Sequence, residues 1–130
     1  MRVFLKRPTA LAICVLAALP VLEVRVTAYA PVPRCTKTIN PDITASGHHI
    51  IPADHYRLVA FSPDLAKQFK FGDRFRLEVG GKVLIVEYQD RMPGQRRKKI
   101  DFLLPTVRNC KEFGVQKGKL KLIEGKEKLR

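Results

Sequence analysis

A small, mostly β barrel carrying one or two short helices is the fold predicted by this chain, and three observations predict it. Segments with two-residue hydrophobic alternation, or brief apolar runs, recur along its length. Glycine and proline punctuate the stretches between them. With 130 residues there is room for one domain only.

The first segment is not part of that barrel. Arg2, Lys6 and Arg7 form a cationic start, Thr9 to Leu19 carries no charge, Pro20 breaks any helix, and Glu23 is the first acid. A positive start, a short apolar core and a breaker are the pattern of an export signal. The apolar run is shorter than the roughly 20 residues of a full membrane span. An uncleaved N-terminal anchor is the alternative, and only in that case does the chain contact a membrane. Cys14 follows Ile13 inside the apolar core, which argues against a lipid-attached cysteine. Ala28-Tyr29-Ala30 is the best small-x-small cleavage site, but cutting there would remove the first strand, whereas cutting between Ala18 and Leu22 would keep it. The expected organisation is an export signal over 1–22, a barrel domain over 23–123 and a charged tail over 124–130.

Val24, Val26 and Ala28 alternate with Arg25, Thr27 and Tyr29, the pattern of a half-buried strand. Residues 31–54 form a long loop punctuated by Pro31, Pro33, Pro41, Gly47 and Pro52, and loops of that length are functional or disordered. Tyr56 to Phe61 reads as a short strand. Ser62 as cap and Pro63 at the first helical position start a helix ending near Phe69. Phe75, Leu77 and Val79 alternate with Arg74, Arg76 and Glu78; Gly80-Gly81 then supplies a tight turn into Lys82–Glu87, which makes a hairpin. A polar loop with Pro93, Gly94 and the run Arg96–Lys99 precedes the apolar strand Ile100–Leu104, interrupted by Asp101. Thr106 caps a last helix stopped by Gly114, with Val107, Cys110 and Phe113 on its inner face. Val115, Leu120 and Leu122 supply the final strand.

The charge is strongly one-sided. Three of the 25 basic residues fall within 1–22, leaving 22 against 12 acids, a net +10 for the rest. That excess favours polyanions or anionic surfaces, outside the cytoplasm meaning wall polymers, anionic glycans and lipid head groups rather than nucleic acid. It also serves solubility. Two cysteines remain beyond the signal, Cys35 and Cys110, and an even pair in an oxidising compartment favours a disulfide closing about 75 residues.

Asp101 is the residue with the most chemical content. A carboxylate among Ile100, Phe102, Leu103 and Leu104 has its charged form disfavoured, which is how a general acid is kept protonated. The nearby Arg96–Lys99 run opposes this, and the competing reading is purely structural: Asp101 pairs with one of those bases or receives backbone hydrogen bonds. Asp90, eleven residues earlier, can face Asp101 across adjacent strands as a carboxylate pair suited to glycosidic chemistry, or serve as a turn residue. Thr44-Ala45-Ser46-Gly47 offers two hydroxyls and a glycine permitting close approach, to bind a sugar or to shape a turn. His48, His49 and His55 with Cys35 fit no established zinc spacing, and no phosphate loop, dinucleotide fingerprint or nucleophilic-serine motif is present. No cofactor or metal is expected.

Taken in order, the segments Val26–Tyr29, Thr44–Gly47, Val59–Pro63, Gly72-Asp73, Val86–Asp90, Ile100–Phe102 and Phe113–Val115 resemble the three-aspartate ("3D") domain. That family is similar to the C-terminal part of membrane-bound lytic transglycosylase A and, more distantly, to rare lipoprotein A, barwin and the expansins. The match runs from about residue 24 to 123. The resemblance implies a six-stranded double-psi β-barrel that cleaves the glycan strands of peptidoglycan, and it implies that residues 24–30 stay in the working protein. Asp101 would then be the general acid and base and Asp90 its support. Thr27, Tyr29, Thr44, Ser46, Gly47 and Ser62 would line the substrate. The sugar's own tethered C6 hydroxyl would attack C1, leaving a 1,6-anhydro end.

The sequence departs from the family at three places. Ser62 stands where the family's first aspartate lies, with Asp64 two residues on; Met92 replaces a frequent glycine; and 96–99 is unusually basic. Three readings follow: a monomeric, exported lytic transglycosylase; a non-catalytic polysaccharide-binding or wall-loosening domain; or a secreted effector or inhibitor with a basic surface.

Overall fold

A computed structural model describes residues 21–33, 35 and 39–125. The expected export signal, apart from residues 21 and 22, and the tail beyond 125 lie outside the described residues. Six strands form: β1 (Leu22–Tyr29), β2 (Leu58–Phe61), β3 (Arg74–Val79), β4 (Lys82–Arg91), β5 (Lys99–Leu103) and β6 (Gln116–Glu124). Two short helices join them, α1 (Pro63–Ala66) and α2 (Val107–Phe113). The strands close into a barrel in the order β1–β5–β2–β4–β3–β6. The pairs β1/β5 and β2/β4 are parallel and the other four antiparallel. This is the mostly β, six-stranded architecture expected from the sequence. Because β1 is paired along both edges, a cut at Ala30 would remove an integral strand.

Alternation sorts each strand into an inner and an outer face. Val24, Val26, Val59, Phe61, Phe75, Leu77, Val86, Tyr88, Ile100, Phe102 and Leu120 fill the barrel. At its centre Phe61 stacks on Tyr88, with centroids 4.3 Å apart, and meets Phe75 edge-on at 5.2 Å. A second, smaller apolar cluster lies on the outside, made of Tyr29, Leu58, Ala60, Met92 and Leu103. The long loop that follows β1 packs on this outer cluster through Cys35 and Ile50.

Local signals worked where neighbours decide the outcome. Gly80 and Gly81, at φ 60° and 77°, make the tight turn between β3 and β4. Thr106 Oγ1 accepts from Asn109 N–H at 3.1 Å to cap α2, and Gly114 ends it at φ 68°. Elsewhere packing changed the result. The first helix stops at Ala66 rather than near Phe69, because Phe69 turns inward to meet Phe61 and Phe75. Tyr56 lies outside β2 with φ 68°, its ring against Phe102. Val115 is exposed and precedes β6.

The expected disulfide is absent: Cys35 and Cys110 are both free thiols. Cys35 sits with the outer cluster and Cys110, on α2, packs against the barrel cluster; the two thiols are near enough to feel one another's charge, but no S–S bond joins them. Burial pushes the Cys110 thiol up to about 11, with the charges of Cys35 and Asp101 adding to it. It is therefore protonated at neutral pH and a poor nucleophile.

Candidate functional site

On the outer face, Ala60 of β2 lies between two aspartates. Its register partner on β5 is Asp101 and its partner on β4 is Asp90. The expectation that the two acids face each other across adjacent strands is corrected here, since β2 runs between β4 and β5. With strands roughly 4.8 Å apart, the two Cα atoms stand about 10 Å from one another.

Asp90 reaches this face through a register shift. Val59 pairs with Tyr88 but Ala60 pairs with Asp90, so Gln89 is bulged out of the ladder. Tyr88 points into the barrel, and simple alternation would send Asp90 the same way. The extra residue reverses that and turns Asp90 outward, beside Ala60. Asp90, Asp101, Tyr29, Ala60, Met92 and Ile43 line an open groove of about 440 Å³.

Each carboxylate is held. Thr27, the partner of Asp101 on β1, donates its hydroxyl to Asp101 Oδ1 at 2.5 Å. Tyr29 donates to Asp90 Oδ2 at 3.0 Å, while Asp90 Oδ1 accepts from the N–H groups of Ala45 and Arg91, both at 2.9 Å. Burial raises the Asp101 carboxyl above the ordinary aspartate range and the Asp90 charge adds to the rise; the Thr27 hydrogen bond, Lys99 and Arg96 pull it back only in part. The pairing of Asp101 with one of those bases does not form as a close ion pair among the described residues; Lys99 and Arg96 act on it from a longer range. Burial, followed by the Asp90 charge, drives the Tyr29 hydroxyl far above its usual range, so it acts only as a neutral donor.

A raised carboxyl means the folded state binds that proton more tightly than the unfolded chain. The associated stability is complete below the unfolded aspartate value and is lost as pH rises through the folded one. Asp101→Asn is therefore expected to gain stability relative to the unsubstituted protein as pH increases from 4 to 7. Thermal melts of both proteins across that range check it, and a constant difference would contradict the burial argument.

Other residues expected at the site take structural positions. Thr44 is buried; its hydroxyl meets Ser46 Oγ at 2.8 Å and accepts from His48 N–H at 3.1 Å. Gly47, at φ 89°, closes that turn. The Thr44–Gly47 segment thus shapes a turn that delivers the Ala45 N–H to Asp90. The Thr44 and Ser46 hydroxyls bond each other within that turn, and neither residue is part of the groove lining. Ser62 is fully buried, donates to Asp64 Oδ1 at 2.6 Å and accepts from Lys99 N–H at 3.1 Å, so it neither caps α1 with its side chain nor reaches the groove. Asp64 in turn holds Lys98 N–H rather than serving the groove. His48 pairs with Asp54 and His49 with Asp42, each at 2.8 Å, bracing the loop. Ile43 and Arg91 line the groove without having been singled out in the sequence, and Ala45, Met92 and Pro93 line it without having been expected as site residues. Ala45 contributes a backbone group, which leaves no signature in a residue pattern.

No protein-family model matches the chain, and no curated protein matches it by sequence. Solved structures do match. The barrel resembles an expansin domain. The apo expansin of Clavibacter michiganensis aligns over 84% of this chain and 53% of its own, with 17% identity and a TM-score of 0.57. An aspartate-to-asparagine variant of that expansin, in complex with cellohexaose, aligns over 85% of this chain and 54% of its own, with 14% identity and a TM-score of 0.56. Streptomyces papain inhibitor aligns over 82% of this chain and 98% of its own, with 20% identity and a TM-score of 0.52. The chain spans about half the length of the expansin structures. At such identities the likeness is one of fold, and function has to be argued from the groove.

Proposed function

We propose that the chain is a polysaccharide-binding, wall-loosening type of domain whose outer groove receives a glycan strand between Asp90 and Asp101. The observation that carries this is the pair of held carboxylates on either side of Ala60, in an open groove, on a barrel resembling an expansin solved with cellohexaose. The methyl group of Ala60 leaves the floor low enough for a sugar ring. The carboxylate oxygens accept from sugar hydroxyls, and such charge-assisted bonds are stronger than neutral ones. Ile43, Met92 and Pro93 offer apolar surface to the ring's C–H face. Binding of this kind separates polymer chains with no covalent step.

One observation favours cleavage as a second reading: the raised carboxyl of Asp101. Protonated Asp101 would give its proton to the glycosidic oxygen as the C1–O bond breaks. The resulting carboxylate would then take the proton from the C6 hydroxyl attacking C1, as in a lytic transglycosylase acting on peptidoglycan. Export is part of both readings, resting on the cationic and apolar start of the chain, and places the work in the cell envelope or outside the cell.

The test incubates the protein with purified peptidoglycan sacculi and with cellulose, beside its Asp101→Asn variant. The expected result is co-sedimentation without soluble fragments, weakened about tenfold in the variant, the size expected for a hydrogen bond to a charged group. Fragments ending in 1,6-anhydromuramic acid, absent with the variant, would establish cleavage instead. Neither fragments nor sedimentation would refute both readings.

A further inference from the structure

A larger cleft, about 740 Å³, lies at the other end of β1 and β5, where the β3–β4 hairpin meets the start of β6. Seven cations and two acids line it. Arg97 and Lys98 come from the β4–β5 loop, Lys99 from the first position of β5, Arg25 from β1, and Lys117 and Lys119 from β6. One of the acids, Glu78, is 3.6 Å from Arg76. None of the seven cations forms an ion pair with a described residue.

The backbone around these charges is tightly constrained. At the floor, a Cβ on Gly118 would stand 2.9 Å from Val26 Cγ2 and 3.1 Å from the Glu78 carbonyl oxygen, so only glycine lets β1, β3 and β6 converge. At the rim, Lys98 holds a left-handed conformation, φ 48°, that a lysine rarely adopts. Its N–H is gripped by Asp64 Oδ2 at 2.9 Å and Oδ1 at 3.2 Å, and its carbonyl accepts from Arg25 N–H at 2.9 Å. A strained residue fixed by a carboxylate keeps the basic loop against the cleft. Concave walls focus the field of like charges far more than a flat surface does.

We propose that this cleft is a binding site for a linear polyanion of the carbohydrate or polyol type, with one charge per repeat unit. Lys117 and Lys119 alternate on one face of β6, which spaces their charges by about 7 Å and suits a ligand with regularly repeated anionic groups. The site goes beyond the glycan groove and lies apart from it: two aspartates stand out among the groove's polar side chains, whereas seven cations against Glu23 and Glu78 line the cleft, and Lys99 is the cleft cation whose charge also reaches Asp101. Carboxylates of a uronate glycan and phosphodiesters of a polyol phosphate share the chemistry the cleft recognises.

Titration calorimetry with a hexameric oligouronate and with an oligo(glycerol phosphate) tests this and tells the two sources apart. At least one probe is expected to bind, with affinity falling steeply as salt is raised. A triple variant, Arg97→Gln with Lys117→Gln and Lys119→Gln, is expected to weaken it about tenfold, the scale of three partly exposed ion pairs. Removing the same number of charges elsewhere, at Lys67, Arg108 and Lys111, is expected to have little effect, and melting temperatures confirm that both variants fold. An excess of cellohexaose is expected to leave probe binding intact, so that failure of the groove reading and failure of this one are separable. Equal loss in the two triple variants would overturn the site in favour of general charge attraction. Duplex DNA bound as tightly through the same three residues would overturn the ligand class.

Discussion

Phe61→Ala is expected to lower the unfolding free energy by about 3–5 kcal/mol, the range for a buried phenylalanine cut to alanine. Phe61 is wholly inaccessible to solvent and touches three other rings: stacked on Tyr88 at 4.3 Å and 9°, and edge-on to Phe75 at 5.2 Å and Phe69 at 5.9 Å. It belongs to β2, the strand whose outer face also carries Ala60 between the two aspartates. A domain of this size has total stability of about 5–15 kcal/mol, so the loss is a large share of it. Denaturant melts of Phe61→Ala and Phe61→Leu measure it. A loss below about 1.5 kcal/mol for the alanine variant would mean that the neighbouring rings collapse into the space.

The second large effect is expected from Asp90→Ala. Three donors lose their acceptor at once: the Tyr29 hydroxyl and the N–H groups of Ala45 and Arg91. Tyr29 is buried, and a buried hydroxyl left without a partner costs about 1–3 kcal/mol. The Ala45 bond ties the loop to the groove; Ser46 N–H, bonded to the Gln89 carbonyl at 3.2 Å, is left beside it. Faster amide exchange at Ala45 and Ser46, together with glycan affinity reduced more than tenfold, is the expected outcome. Tyr29→Phe removes one of the three bonds and no charge, so its effect is expected to be much smaller. If the two variants behave alike, the Asp90 charge itself contributes nothing to the groove.

Much of the barrel was legible because its signals are local. The glycine pair of the hairpin, the Thr106 cap and Gly114 stop of α2, and the alternation in β1 and β3 each depend on residues within a turn or a strand of one another. Asp101 was legible for a similar reason: a single carboxylate in an apolar strand is conspicuous, although the sequence left open whether burial or the adjacent basic run would dominate, and in the structure burial is the larger influence. The hydroxyls of Thr44, Ser46 and Ser62 were ambiguous in the sequence, because a side chain that can bind a sugar can equally bond its own neighbourhood, and the structure shows them in such local bonds. Cys35 and Cys110 were expected to pair on parity and compartment, which say nothing about whether two sulfurs adopt the geometry of a bond, and the structure leaves both free.

From the chain alone come the mostly β barrel, the excess of positive charge, the odd carboxylate at Asp101 and the positions of most strands, all properties of residue type and near-neighbour order. The tertiary structure decided the rest: that Gln89 is bulged so that Asp90 shares a face with Asp101, that β2 lies between them, that the Ala45 N–H reaches Asp90, and that scattered lysines and arginines converge on one cleft. Those outcomes depend on register between strands far apart in sequence. Register is set when the barrel closes and its inner face is buried, and a shift of one residue sends a side chain to the opposite face.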